Sequence, residues 1–180
     1  MYQSCMSDGC AGGPQPAPGS SSGCDPSNAC LKGTWPSYMI DAPATFNRAM
    51  SWVAYKYDVR GELYWGANAA DRHYASPGNS SFEVQWLAGG NGDGSLTYPG
   101  RPDVIGGSSF VPLASLRMKM MRDGLEDLEY FYAAEAALGR AAVLQVVGKV
   151  VRSAYDFERD PAVLLAAREE IARKVLVARA

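Results

Sequence analysis

The chain has 180 residues, of which 17 are basic and 19 acidic, and 47% are apolar; this is a globular composition that excludes wholesale disorder and a collagen-like fibre. The formal net charge of −2 argues against a nucleic-acid partner, which calls for a basic excess or patch. No apolar run reaches the ~20 residues of a membrane-spanning helix, so no membrane partner is expected. This length can build one sizeable core but is short for a complete parallel (β/α) barrel of about 250 residues. The opening Met1-Tyr2-Gln3-Ser4-Cys5 has neither the basic nor the apolar part of a signal peptide. Either the protein is not exported, or its beginning lies elsewhere.

In chain order, Tyr2-Gln3-Ser4-Cys5-Met6 reads as a first strand. Residues 9–28 hold five Gly, four Pro and four Ser, which oppose both helix and central strand, and so form a long loop. Residues 35–98 carry 12 of the 19 aromatics and all four tryptophans. Within them a helix is predicted over Ala42–Asp58, with Phe46, Ala49, Met50, Val53 and Tyr57 on its apolar face, Asp41 as its cap and Pro43 in its first turn. Gly61-Glu62-Leu63-Tyr64-Trp65 reads as a short buried strand. Ser95-Leu96-Thr97-Tyr98 reads as another, stopped by Pro99-Gly100. A long helix follows over Leu113–Leu138, with Leu116, Met120, Leu128 and Phe131 on its apolar face, an Arg122–Glu126 pair on its solvent side, and its end near Gly139. Two more helices are predicted at 140–153 and 161–178, the last capped by Asp160 with Pro161 in first position. Strands alternating with helices favour an α/β parallel sheet, and three strands alone leave its edges uncovered. The chain therefore has the character of the last portion of something larger.

Few constellations carry chemistry. Cys5, Cys10, Cys24 and Cys30 are spaced C-x4-C-x13-C-x5-C, wider than the usual zinc knuckle; two disulfides, a metal and free thiols all stay open, with disulfides favoured because a coreless loop gains most from cross-links. Disulfides would imply an oxidising compartment. Gly89-Gly90-Asn91-Gly92-Asp93-Gly94 reads as a glycine turn into the strand at Ser95; it lacks the bidentate Glu of a calcium loop. His73 is the only histidine and reads as a solvated loop residue. Asp123, Glu126, Asp127 and Glu129 read as a solvated helix face. Glu62 is the one carboxylate on a strand, on the same side as Tyr64 by alternation. Trp52 reads as core. Tyr64, Trp65, Trp86 and Tyr98 are different, because aromatics at strand ends and in loops can stack on the apolar faces of sugar rings; core packing is the other reading of them.

Several motifs now stand together: Tyr2-Gln3-Ser4-Cys5, Trp35-Pro36-Ser37-Tyr38-Met39-Ile40-Asp41, Gly61-Glu62-Leu63-Tyr64-Trp65, the run from Asn91 to Gly100, Ser115-Leu116-Arg117, and Arg122-Asp123-Gly124-Leu125-Glu126-Asp127-Leu128-Glu129-Tyr130. In this order, over about residues 1–135, the chain resembles the C-terminal portion of the catalytic domain of glycoside hydrolase family 123. The resemblance implies the last three strands and helices of a TIM-type (β/α) barrel in residues 1–138, with a helical extension in 139–180. It implies an N-acetylhexosaminide-containing glycan as substrate, no cofactor, and the N-terminal half of the barrel as structural partner. The implied activity is that of a retaining β-N-acetylgalactosaminidase assisted by the substrate's own acetamide, an exception to the two-carboxylate scheme. That family's Asp-Glu pair precedes the segment resembled here, so no catalytic residue carries over. Tyr64, Trp65, Tyr98 and Asp93 carry over as sugar-contacting positions. The alternative is a non-catalytic carbohydrate-binding or structural module.

Overall fold

The computed structural model describes residues 2–3, 36–40, 42–69 and 92–179. Its elements are β1 (Tyr2–Gln3), α1 (Ala44–Lys56), β2 (Leu63–Tyr64), β3 (Thr97–Gly100), a four-residue α2 (Pro102–Ile105), β4 (Val111–Ala114), α3 (Leu116–Leu138), α4 (Arg140–Val150) and α5 (Pro161–Ala178). The four cysteines, Trp35, Asp41, His73 and Trp86 lie outside the described residues.

Helix α1 is the hub. Phe46, Ala49, Met50 and Val53 are buried at the spacing the sequence predicts, and Trp52 and Tyr55 are buried as well, so protein covers the helix on more than one side. One side joins α3, α4 and α5 in the main core, where Trp52 packs edge-on against Phe131 with ring centroids 4.6 Å apart. Val143, Val146, Val147 and Val150 of α4 and Leu164, Ala167 and Ile171 of α5 complete that core on one helical face each. The other side of α1 presents Met50 to Tyr38 and Leu96, forming a smaller cluster with Tyr64 at its edge. Tyr57, expected on the apolar face, lies past the last turn and is half exposed. Pro43 occupies the N-terminal cap of α1, with no side-chain cap bond.

The long helix starts at Leu116 rather than Leu113, because Ser115 caps it by accepting from the Met118 N–H at 3.2 Å and the preceding residues are strand. Its buried stripe is Arg117, Gly124, Asp127, Phe131 and Ala134. That is regular helical spacing, yet Leu116, expected inside, is exposed. Two charges and a glycine occupy the stripe, so the apolar pattern misplaces the face. Gly124 is where α1 and α3 approach: a Cβ there would lie 2.9 Å from the Arg48 carbonyl oxygen and from Ser51 Oγ. The predicted Arg122–Glu126 pair is present at 3.4 Å. Gly139 ends α3 with φ +78°, a backbone region glycine enters at no steric cost. Asp160 caps α5 through the Ala162 N–H at 2.8 Å, with Pro161 opening the helix, as the sequence predicts.

Strands β1 and β2 pair in parallel, Tyr2 with Leu63 and Gln3 with Tyr64; with α1 between them they make one strand–helix–strand unit. β2 is shorter than the predicted Gly61–Trp65 strand and is not buried: Leu63 is largely exposed, since β1 is its only ladder partner among the described residues. The strand expected to stop at Tyr98 instead runs on through Pro99-Gly100 and pairs antiparallel with β4. Pro99 stands opposite Pro112, at a position where an antiparallel ladder asks for no N–H. The described residues thus have mixed α/β character, with one parallel and one antiparallel two-stranded sheet; Tyr98 lies on the antiparallel one, not on a parallel barrel strand.

Candidate functional site

The loop after β2 and the turn before β3 meet at Asp93. Gly92 and Gly94, on either side of it, have φ of +81° and +72°, the left-handed region in which a Cβ is costly. These two residues turn Asp93 inward, where it is 4% exposed. Its Oδ1 accepts from the Tyr64 hydroxyl at 3.1 Å and from the Trp65 indole Nε1–H at 2.7 Å. The Tyr64 oxygen in turn accepts from the Gly94 N–H at 2.8 Å. Burial, as the largest cause, holds the Tyr64 phenol above its usual range, aided by the Asp93 carboxylate and opposed by the Gly94 N–H and the Arg117 charge; at neutral pH it is a fixed donor. Gly94 lies against the six-membered ring of Trp65 so closely that a Cβ would overlap it. The indole is thus tethered at its nitrogen and backed by main chain, and 40% of the residue remains exposed.

Beneath this turn, Tyr38 packs edge-on against Tyr64 with ring centroids 5.3 Å apart. Burial first, and then the neighbouring Glu62 carboxylate, raise the Tyr38 phenol above its usual range; Glu62 thus stands beside Tyr38, although it lies just outside β2 rather than on the strand. Arg117, in the first turn of α3, reaches in from the other side. Its Nη1 donates to the carbonyls of Tyr38 and Gly92 at 2.9 and 2.7 Å, and its Nη2 donates to the Ser95 carbonyl. Tyr98 takes a different place: it lines a cleft of about 150 Å³ with Ile40, Asn47, Ser115 and Arg117. The structure therefore brings Tyr64, Trp65 and Asp93 into one hydrogen-bonded group and sets Tyr98 on an adjoining cleft behind Arg117.

Of the four helix carboxylates read as solvated, Asp127 is not: it is fully buried. Arg48 grips it with Nε at 2.6 Å and Nη2 at 2.8 Å, the Trp52 indole N–H donates at 2.8 Å, and Arg168 Nε of α5 lies 3.0 Å away. A carboxylate leaves water only with this kind of compensation, and the partners stand too far along the chain for spacing to reveal them. Trp52 is core, as expected. Arg117 stood in the sequence only as part of a motif; the sole local sign of its role is the Gly-Asp-Gly turn that closes over it.

The arrangement offers a partly exposed indole, a tethering carboxylate and a neutral phenol. No Asp-Glu dipeptide occurs in the sequence, and no group of metal-ligating side chains gathers among the described residues. No curated protein matches the chain. The family model described as the catalytic domain of glycoside hydrolase 123 matches residues 27–133, which include Tyr38, Tyr64, Trp65, Asp93, Tyr98, Arg117 and Asp127. With more than half of its length matched, the chain belongs to the glycoside hydrolase 123 catalytic-domain family.

Proposed function

We propose that this chain forms the C-terminal, sugar-lining part of a glycoside hydrolase barrel. Residues 1–138 contribute the last strands and helices, and 139–180 add a helical extension. Trp65 faces a glycan that carries an N-acetylhexosaminide, with the buried Asp93 and its partner Tyr64 holding it in place and Tyr98 on the adjoining cleft. The reaction of the whole domain is retaining β-N-acetylgalactosaminide hydrolysis assisted by the substrate acetamide, with the Asp-Glu pair supplied by the barrel's other part. The β1–α1–β2 unit, with its parallel strands, supports the barrel reading.

The observation that carries the sugar reading is Trp65. A core tryptophan hides its ring; this one is tethered at Nε1 and backed by Gly94 while keeping 40% of its surface in water. A preoriented aromatic face loses little freedom when a sugar ring stacks on it, and preorganisation raises affinity. The test is a fluorescence titration of the chain with N-acetylgalactosamine, beside Trp65→Ala. Saturable quenching is expected in the parent chain. The variant should bind about tenfold more weakly, as losing ~1–2 kcal/mol of aromatic contact implies. A folded chain with no response to the sugar would overturn the reading.

A further inference from the structure

We infer that Arg117 is a positioning residue for the Trp65 platform: one buried guanidinium holds together the two loops on which that platform depends. The inference rests on the sugar-platform reading for its functional meaning, and on geometry for the rest.

Arg117 is 5% exposed. A buried charge is tolerated only when its donors are used, and the donors here go to main-chain carbonyls of Tyr38, Gly92 and Ser95. Those carbonyls belong to two separate segments, 36–40 and 92–95. One segment carries Tyr38, which supports Tyr64; the other carries Asp93 and Gly94, which hold Trp65. The guanidinium and the turn are fitted to each other, since a Cβ on Gly92 would lie 2.6 Å from Arg117 Nη1. The Nε of Arg117 is buried with no hydrogen-bond partner among the described residues. The fork is thus set to reach the three carbonyls with its Nη groups while the Nε–H is left over. Its charge is also felt at the Tyr64 phenol. Arginine's planar fork can bridge carbonyls from two segments; lysine's compact ammonium on a narrower reach cannot do so in the same place.

Two indole N–H groups provide a built-in comparison. Trp65 donates to Asp93 above Arg117, whereas Trp52 donates to Asp127 in the main core. The experiment measures hydrogen exchange of both indole N–H groups by NMR in the parent chain, Arg117→Lys and Arg117→Gln, with Trp65→Phe to assign the Trp65 signal. Exchange at Trp65 is expected to quicken about tenfold, the scale of one lost hydrogen bond, while Trp52 stays unchanged. The same variants should lose N-acetylgalactosamine affinity, and that loss should vanish when Arg117→Lys is made in the Trp65→Ala chain. Unchanged exchange at both indoles would overturn the inference. Equal acceleration at both, in both variants, would also overturn it, because Arg117 would then be a general stability residue. Selective acceleration at Trp65 in a chain whose parent binds no sugar would leave Arg117 as the organiser of the turn and remove the sugar reading instead.

Discussion

Replacing Asp127 by asparagine keeps the shape of the side chain and removes its charge. In the folded chain this carboxylate is fully buried and accepts three hydrogen bonds, two from Arg48 and one from Trp52, with Arg168 Nε beside it at 3.0 Å. The variant leaves two guanidinium groups facing an amide. Breaking a buried ion pair from one side costs ~3–5 kcal/mol when the partner stays buried. Here the Arg48 side chain is 14% exposed and the Arg168 side chain 40%, so both can recover some hydration, which lowers the expected loss to about 3 kcal/mol. Against a total stability of ~5–15 kcal/mol that is a large fraction, and for a chain of this size it corresponds to a fall in Tm of roughly 6–12 °C. Urea and thermal unfolding, followed by far-UV circular dichroism, measure it. Arg168→Met alone should cost less, and the double variant should be markedly non-additive with Asp127→Asn. A loss within ~0.5 kcal/mol, the range of ordinary surface changes, would refute the buried network that joins α1, α3 and α5.

Gly94→Ala combines a positive φ with overlap of the Trp65 ring; it should destabilise the chain by about 1–3 kcal/mol and displace the indole, seen as a shift in tryptophan emission, and unchanged emission with unchanged stability would contradict the backing role of Gly94. Gly124→Ala improves helix propensity by ~1 kcal/mol but forces α1 away from α3 at the Arg48 carbonyl; overpacking of about 1–3 kcal/mol should prevail, and a rise in Tm would show the crossing to be looser than described. The phenols of Tyr38, Tyr55 and Tyr64 are all held above their ordinary range, with burial the largest cause. The folded chain therefore holds these protons more tightly than the unfolded one, so their contribution is whole below pH ~10 and declines as pH rises beyond it. The urea midpoint should fall above pH ~10, together with a tyrosinate absorbance step that coincides with unfolding; a smooth titration of every tyrosine in the intact fold would contradict it.

How much of this was legible varies with how local the cause is. Helix α5 could be read almost to the residue because Asp160-Pro161 is a self-contained start signal. The Gly-Asp-Gly turn announced its bend, because glycines flanking a polar residue point to left-handed backbone. β4 escaped notice because Val111–Ala114 runs straight into the apolar pattern of α3, and only its pairing with β3 distinguishes it. The roles of Asp127 and Arg117 are hidden from the sequence for the same reason: their hydrogen-bond partners lie between 22 and 79 residues away. A buried charge looks like a surface charge until those partners are known. Trp65 was visible as a candidate by type and place, but its tether to Asp93 and its backing by Gly94 are tertiary facts.

If Trp65, fixed by Asp93 and Gly94, receives a sugar ring, the sugar must be felt at the indole and at the turn behind it. The most direct measurement is a titration of the isotopically labelled chain with N-acetylgalactosamine, following the indole N–H resonances and the amides of residues 92–95. Saturable shifts are expected at Trp65 and Gly94, with the Trp52 resonance unmoved. Shifts at neither Trp65 nor Gly94 up to saturating sugar, in a chain whose Trp52 signal reports an intact core, would contradict that role of Trp65.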